Sequence, residues 1–242
     1  MVTNLNRVMV RSLRIVILVD DLAPEGRKGV HGFSALVETE DSRLLFDTGP
    51  DGDVLMEALA AEGVGVEDLD LVVVSHAHMD HVGGLARLLY HRPRLPVSAP
   101  VRSAPSIAKM LPREAVVVGE KGPGLVAPHV RTTGDLPGDI PEQALVISTA
   151  GGYVVLTGCG HSGLGMLLAA AGGNVIMVVG GLHSLSDEDV SLTSLDCLVA
   201  CHCTPSKRIL AQTHDWIDLG TVGTVIEMEP PTDEGPTERM SG

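Results

Sequence analysis

The chain contains few aromatic residues and few cations. Phe, Trp and Tyr make up 2% of its 242 residues, so Val, Leu, Ala and Met must fill the core. Lys and Arg number 17 against 31 Asp and Glu, which gives a formal net charge of -14. Such a field repels phosphate backbones and anionic lipids, so broad binding to nucleic acid or to a membrane surface is not expected. An anionic small substrate would need a metal or a local cation.

Cysteine is also scarce, and its four copies lie in the last third of the chain: Cys159, Cys197, Cys201 and Cys203. They form no spread-out disulfide framework, and the N-terminal residues lack the apolar core and cleavage site of a signal peptide. We therefore expect a reduced, cytoplasmic setting. Cys197, Cys201 and Cys203 fit a structural zinc site poorly and are expected to pack as small hydrophobes, as is Cys159 in its glycine-rich turn.

Residues 163–182 carry no charge, which raises the question of a membrane span. The Gly-Gly-Asn sequence in the middle of this stretch predicts a turn between a buried helix and a buried strand. We therefore predict that the stretch belongs to the core.

The rest of the chain alternates between strand and helix patterns. Each half shows a strand hairpin followed by strand-helix units, and 80–91 has the pattern of one helix. The sequence predicts an α/β fold of four layers, with two mixed β-sheets between outer helices, in a single domain over 1–229. The Pro- and Gly-rich segment 92–142 is expected to form part of a substrate pocket, and the polar residues 230–242 to form a flexible tail.

The sequence SHAHMDH, residues 75–81, directly follows an apolar strand pattern. His76 and His78 project to the same side of an extended backbone, and Asp80 and His81 fall at the turn into a helix. Imidazole and carboxylate are ligands of Zn²⁺, Fe and Mn²⁺. The pattern predicts a site for two metals, one on His76 and His78 and the other on Asp80 and His81.

This motif resembles the signature of the metallo-β-lactamase superfamily, which implies an αββα sandwich with a dinuclear metal site. LLFDTGP (44–50) matches an early strand of that family, which implies that Asp47 lies beneath the metal ligands. TGCGHSG (157–163) and ACHCTP (200–205) match later elements. The resemblance implies that His161 completes the first metal site and His202 the second.

The chain is similar, more narrowly, to the subfamily named after an archaeal dihydropterin–aminobenzene phosphate synthase. The superfamily places a bridging Asp after a later strand, where this chain has GGLH (180–183). Gly181 therefore stands in the place of the bridge, and His183 is a candidate donor to an oxyanion.

Three further residues are candidates for substrate binding. His31 matches the subfamily and could line the pocket. Lys207 and Arg208 follow a Thr-Pro-Ser sequence at the start of a predicted helix, where backbone N–H groups favour an anion. A solvent-exposed helix face would explain the two cations equally well.

The sequence favours a hydrolase in which a metal-activated hydroxide attacks a phosphoester or phosphodiester of a small molecule, with Asp80 and His183 as catalytic residues. The metals are expected to be two divalent ions, Zn²⁺ first and Mn²⁺ or Fe as alternatives. The resemblance leaves open a transferase that joins a dihydropterin methyl diphosphate to an aminobenzene ribofuranosyl phosphate. A non-catalytic metal-binding or regulatory role is the third possibility. The sequence predicts no oligomeric state.

Overall fold

Apolar runs in the sequence become strands that are buried on both faces. The computed structural model describes residues 9–192 and 195–229. In the first strand, Ile15 and Ile17 face the second sheet, whereas Val16 and Leu18 face the helices that cover the first sheet. A run without alternating polar residues is typical of a strand covered on both sides. The predicted flexible tail, 230–242, lies outside the described residues.

The strands form two sheets of seven among the described residues. The first sheet contains β1 (Leu13–Val19), β2 (Ser34–Thr39), β3 (Arg43–Phe46), β4 (Leu71–Val73), β5 (Val97–Pro100), β6 (Val117–Glu120) and β14 (Val225–Met228). The second sheet contains β7 (Gly124–Ala127), β8 (Val130–Thr132), β9 (Leu145–Ser148), β10 (Tyr153–Thr157), β11 (Val175–Gly180), β12 (Cys197–Ala200) and β13 (Ile217–Leu219). The helices are α1 (Gly52–Ala61), α2 (Met79–Val82), α3 (Leu85–His91), α4 (Ala104–Lys109), α5 (Leu164–Ala171), α6 (Asp187–Leu192) and α7 (Lys207–Thr213).

Both sheets are mixed, as predicted. The first has the order β14-β1-β2-β3-β4-β5-β6 and the second β13-β12-β11-β10-β9-β8-β7. In each sheet one part is antiparallel and the other parallel, and the change occurs at β3 and at β10. Apolar side chains fill three spaces, one between the sheets and one between each sheet and its helices, which gives the four layers.

The structure differs from the sequence prediction at one place. The helix expected over 80–91 is split into α2 and α3 at Gly83 and Gly84, because both glycines pack directly against the 48–50 backbone. The segment 92–142 carries the short strands β5 to β8, which form one edge of each sheet, and its part in a substrate pocket stays a prediction. The uncharged stretch 163–182 is α5 followed by β11, as predicted, and no helix in the described ranges is long and apolar enough to cross a membrane.

Candidate metal centre

Polar side chains gather where the strands end. β1, β3 and β4 run in the same direction, and each is followed by residues able to bind a metal or its ligands: Asp20 and Asp21, Asp47, and His76. In the second sheet the parallel strands β10, β11 and β12 end next to Cys159, His183 and His202. Because carboxyl ends of parallel strands meet at one edge, the two sheets bring all these residues to one place.

The candidate ligands form two groups, and the first ligand group consists of His76, His78 and His161. His76 is fully buried, and its Nε2 lies 3.0 Å from Nδ1 of His78. The ring of His161 lies 5.0 Å from that of His76 and 5.2 Å from that of His78, measured between centroids. The structure therefore brings these three rings together, and their role as ligands of one metal stays a prediction.

The second ligand group consists of Asp80, His81 and His202. Oδ2 of Asp80 lies 3.2 Å from Nε2 of His202 and 3.6 Å from Nε2 of His81. The two groups touch, because the rings of His76 and His81 are 4.1 Å apart. Two cations bound by these groups would be close neighbours.

Asp47 lies beneath both groups and is fully buried. Its Oδ1 accepts a hydrogen bond from the Ser75 amide (2.6 Å), and its Oδ2 contacts the Ser75 hydroxyl (2.6 Å) and Nδ1 of His81 (2.7 Å). Asp47 also has a left-handed backbone (φ 58°), which is rare for a residue other than glycine. Its carboxylate fixes the ring of His81 so that Nε2 faces the site.

Asp20 and Asp21 support His202 in the same way, and the sequence reading missed both. Oδ1 of Asp21 lies 2.9 Å from Nδ1 of His202, and Oδ2 of Asp20 accepts the His202 amide at 2.5 Å. His202 has a left-handed backbone (φ 41°) that these contacts hold in place. A signal was available, since the two Asp residues follow an apolar strand just as Asp47 does.

Cys159 is a third residue whose place at the site was not predicted from the sequence. It is buried, as expected for a packing residue, and its Sγ also lies 3.2 Å from Nε2 of His81. Its thiol shares one cluster with His76 and His161 and another with His81 and His202, and in each cluster the ligand atoms lie within 4.8 Å of one another. Cys159 is thus a potential ligand as well as a packing residue.

The turn that carries Cys159 and His161 is held by a buried carboxylate. Glu142 accepts hydrogen bonds from the amides of Cys159 (3.4 Å) and Ser162 (3.2 Å). Burial raises the pKa of Glu142, and these amide hydrogen bonds oppose that rise. Gly158 begins the turn, where a Cβ would overlap the Ser75 hydroxyl and lie 2.9 Å from Oδ2 of Asp47. The turn therefore packs directly on the support of the histidines.

Gly181 leaves no room for a side chain. A Cβ at this position would overlap the carbonyl oxygen of Gly158 and lie 2.8 Å from Sγ of Cys203. The missing bridging Asp therefore could not be restored here without moving the backbone. His183 is exposed at the rim, with its ring 5.1 Å from that of His161, so its predicted contact with an oxyanion stays a prediction.

The three substrate-binding candidates occupy different positions. His31 is exposed at the mouth of the site, with Nε2 3.5 Å from Oδ2 of Asp80. Lys207 is buried, and its ammonium donates to the carbonyl of His202 (2.7 Å) and contacts Asp20 (3.3 Å), so it supports the second group and does not face a substrate. Arg208 is exposed on α7.

The helix start that was expected to bind an anion near Lys207 and Arg208 differs from the prediction. α7 begins after Ser206, which has a left-handed backbone (φ 51°) and a side chain that makes no capping bond. The helix is seven residues long. The start of α7 therefore lacks the side-chain cap that was expected to favour anion binding there.

The pKa shifts of the histidines differ between the two ligand groups. Burial, with the neighbouring histidines, lowers the pKa of His76 and brings that of His161 to about 4. Both rings are neutral at pH 7, the form that binds metals. Burial, the largest single influence, would lower the pKa of His202 as well, but the hydrogen bond with Asp21 and the nearby negative charges together raise it. Burial would likewise raise the pKa of Asp21, yet its contacts with His202, the Gly32 amide and Lys207 together bring that pKa to about 2.

The donor set fits divalent cations. Nε2 of His161 is buried and has no hydrogen-bond partner among the described residues, which a bound cation would supply. Five imidazoles, one carboxylate and one thiol are ligands typical of Zn²⁺. A further cluster of Asp21, His31 and His202 lies on the outer side of the second group, where Nδ1 of His202 is already bonded to Asp21.

Comparison with known proteins agrees with this geometry. The chain matches the sequence profile of the metallo-β-lactamase superfamily over residues 27–178, more than half of its length. It is 25% identical to Tm1679, whose crystal structure is described as that of a metal-dependent hydrolase of the β-lactamase superfamily. That match has a TM-score of 0.73 and covers 90% of this chain and 99% of the other.

Two curated relatives come from Methanocaldococcus jannaschii. The uncharacterized protein MJ0448 is 44% identical over 71 residues, which cover 29% of this chain and 27% of that protein. The 7,8-dihydropterin-6-methyl-4-(β-D-ribofuranosyl)-aminobenzene-5'-phosphate synthase is 22% identical and covers 76% of this chain and 82% of its own length. The match to the first of these thus spans about a quarter of the relative.

Proposed function

Because the chain belongs to the metallo-β-lactamase superfamily, we propose that it is a dinuclear-metal-dependent hydrolase of a small phosphoester or phosphodiester. His76, His78 and His161 would hold one cation, and Asp80, His81 and His202 the other. The convergence of these two groups supports this assignment, as does the buried Nε2 of His161 in the first group, which has no hydrogen-bond partner among the described residues. When bound, two divalent cations lower the pKa of water and polarise a phosphoryl oxygen.

Asp80 is the residue best placed to handle the proton of the nucleophile. Its Oδ2 lies within 3.6 Å of ring nitrogens on His81, His202 and His31, and its side chain is 23% exposed. It is therefore both held in place and open to a substrate. In this proposal Asp80 orients the attacking water and accepts its proton, within hydrogen-bond reach.

The rim favours an anionic substrate of small size. His31 is exposed beside the second ligand group and His183 beside the first. Each ring can donate a hydrogen bond to an oxyanion. The net charge of -14 opposes binding of long polyanions or anionic membranes, so a small phosphorylated compound fits better than nucleic acid. The His-rich donor set favours Zn²⁺, with Mn²⁺ or Fe as alternatives.

Hydrolysis of bis(4-nitrophenyl) phosphate by protein loaded with Zn²⁺ or Mn²⁺ tests this function. Asp80→Asn removes a ligand and the proton acceptor, whereas Asp41→Asn makes the same change at an exposed turn and serves as the matched control. We expect metal-dependent turnover in the parent and in Asp41→Asn and none in Asp80→Asn. Equal rates in the two variants would overturn the role of Asp80.

A transferase is the second candidate, because the synthase relative aligns with 76% of this chain. The same ligands would hold a diphosphate leaving group while an aromatic amine attacks. Protein that binds two metals, hydrolyses no phosphoester and condenses a dihydropterin methyl diphosphate with an aminobenzene ribofuranosyl phosphate would establish this reaction. A chain that binds no metal after supplementation would favour a non-catalytic role.

A further inference from the structure

The space between the two ligand groups is reached by a single soft donor among the described residues, the thiol of Cys159. Its Sγ lies within 4.8 Å of ring nitrogens on His76 and His161 and, on the other side, of ring nitrogens on His81 and His202. The thiol is the one residue that these two clusters share. An atom that belongs to both clusters occupies the position of a bridge.

The backbone keeps the sulfur in this position. Glu142 holds the amides on both sides of the turn, at Cys159 and at Ser162. The amide of His183 donates to the carbonyl of Cys159 at 2.5 Å, which joins the turn to the segment after β11. The sulfur is thus directed by contacts that do not involve the thiol itself, so its position does not depend on a bound metal.

Among the described residues, the end of β11 offers no ligand to this space. Gly181 follows β11 directly, and a Cβ there would overlap the carbonyl oxygen of Gly158. The buried carboxylate of Asp47 is already bonded to Ser75 and His81, and that of Asp80 lies beside the second group. The turn after β10 is thus the segment that places one ligand atom in both clusters.

We propose that the thiolate of Cys159 is a ligand common to both metal positions, an inference that rests on the dinuclear site proposed above. On metal binding the S–H bond breaks, the proton goes to solvent and the sulfur forms one bond to each cation. A thiolate favours Zn²⁺, Co²⁺ or Cd²⁺ over Mn²⁺, because these softer ions bind sulfur better. The chain would therefore select zinc-like ions through one residue.

Titration of the metal-free protein with Co²⁺ tests this assignment without any measurement of activity. A thiolate bound to Co²⁺ gives a near-ultraviolet charge-transfer band, and a shared thiolate adds to this band during both the first and the second equivalent. Cys159→Ser should lose the band and bind the second Co²⁺ at least about tenfold more weakly, the lower end of what loss of a supporting partner costs. Cys197→Ser is the matched control, since Cys197 belongs to neither cluster and its Sγ contacts Asp218 at 3.6 Å, and it should keep the band.

The outcomes separate this inference from the proposed site. Two bound Co²⁺ ions without a charge-transfer band would overturn the role of Cys159 and leave the dinuclear site intact. A band that grows with one equivalent alone would show a terminal ligand and overturn the sharing. Absence of Co²⁺ binding would overturn the dinuclear site itself. Far-ultraviolet circular dichroism identifies a variant that has lost its fold, and Cys159→Ala then replaces Cys159→Ser in the same titration.

Discussion

The two ligand groups differ in the side chains that hydrogen-bond to Nδ1 of their histidines. In the second group both histidines have a carboxylate on Nδ1, Asp47 for His81 and Asp21 for His202. In the first group His76 has the hydroxyl of Ser75, not a carboxylate, on Nδ1 at 2.9 Å. A carboxylate partner raises the basicity of an imidazole and fixes its orientation. We therefore expect the second group to bind its cation more tightly than the first.

The largest expected effect comes from removing one ligand of each group. His78→Ala and Asp80→Ala should each abolish turnover and reduce the metal content from two ions to one, measured by elemental analysis. His78 is exposed and Asp80 half-buried, so both metal-free variants should stay folded, measured by far-ultraviolet circular dichroism. His91→Ala, at the exposed end of α3, is the control and should change neither quantity. Retained turnover in both variants would exclude the assigned site.

Asp21→Asn tests the comparison directly, because it alters the carboxylate behind the second group alone. We expect affinity for one of the two metals to fall about 10–100-fold while the other is unchanged. Competition with a chromophoric chelator measures both constants. A loss at both positions, or at neither, would show that the carboxylate does not distinguish the groups.

The same Asp21 predicts a pH dependence of the metal-free fold. Its pKa is lowered from 3.8 to about 2, because its contacts with His202, the Gly32 amide and Lys207 together exceed the opposing effect of burial. A lowered pKa means that the ionised form stabilises the folded state above the unfolded value, and that this stabilisation is lost as the pH falls towards 2. Urea unfolding measured between pH 5 and pH 2 should show that the free energy of unfolding falls less steeply with decreasing pH in Asp21→Asn than in the parent.

Gly158→Ala should affect both ligand groups, because Gly158 packs against Ser75 and Asp47, which hydrogen-bond to histidines of the two groups. The added Cβ would meet the Ser75 hydroxyl and Oδ2 of Asp47, so we expect a loss of about 1–3 kcal/mol in the free energy of unfolding. Gly165→Ala is the matched change in α5, where nothing lies within 4 Å of the new Cβ. It should stabilise the protein by about 0.4–1 kcal/mol, the smallest effect predicted here. Equal values for the two variants would contradict the packing at Gly158.

The strands and the ligand cluster could be predicted from sequence because both depend on local pattern. The run 13–19 is apolar throughout and forms β1, and SHAHMDH places four polar groups at one strand end. Cys159 could not be predicted, because its turn looks like a packing turn until the second sheet, which contains β10, is packed on the first, which contains β4. Glu142 carried no signal at all, since it acts on a turn 17 residues away.

Lys207 shows the limit of local reasoning in the opposite direction. The sequence places it at a helix start next to Arg208, where a cation could face a phosphate. In the fold its ammonium is directed inward to Asp20, which lies 187 residues earlier in the chain. This contact with a residue distant in the sequence helps to orient the ammonium, and the local sequence around Lys207 does not predict it.

The distance along the chain between Asp20 and His202 has a consequence for the order of events during translation. His76, His78 and His161 have all left the ribosome when residue 161 has emerged, but the other group waits for His202 and for its contact with Asp20 across 182 residues. β14, the neighbour of β1, is made later still. A nascent chain would thus present one set of imidazoles well before the other. We expect the first ligand group, which has the weaker support, to be available first. The second group should form only when the segments around Asp20 and His202 meet.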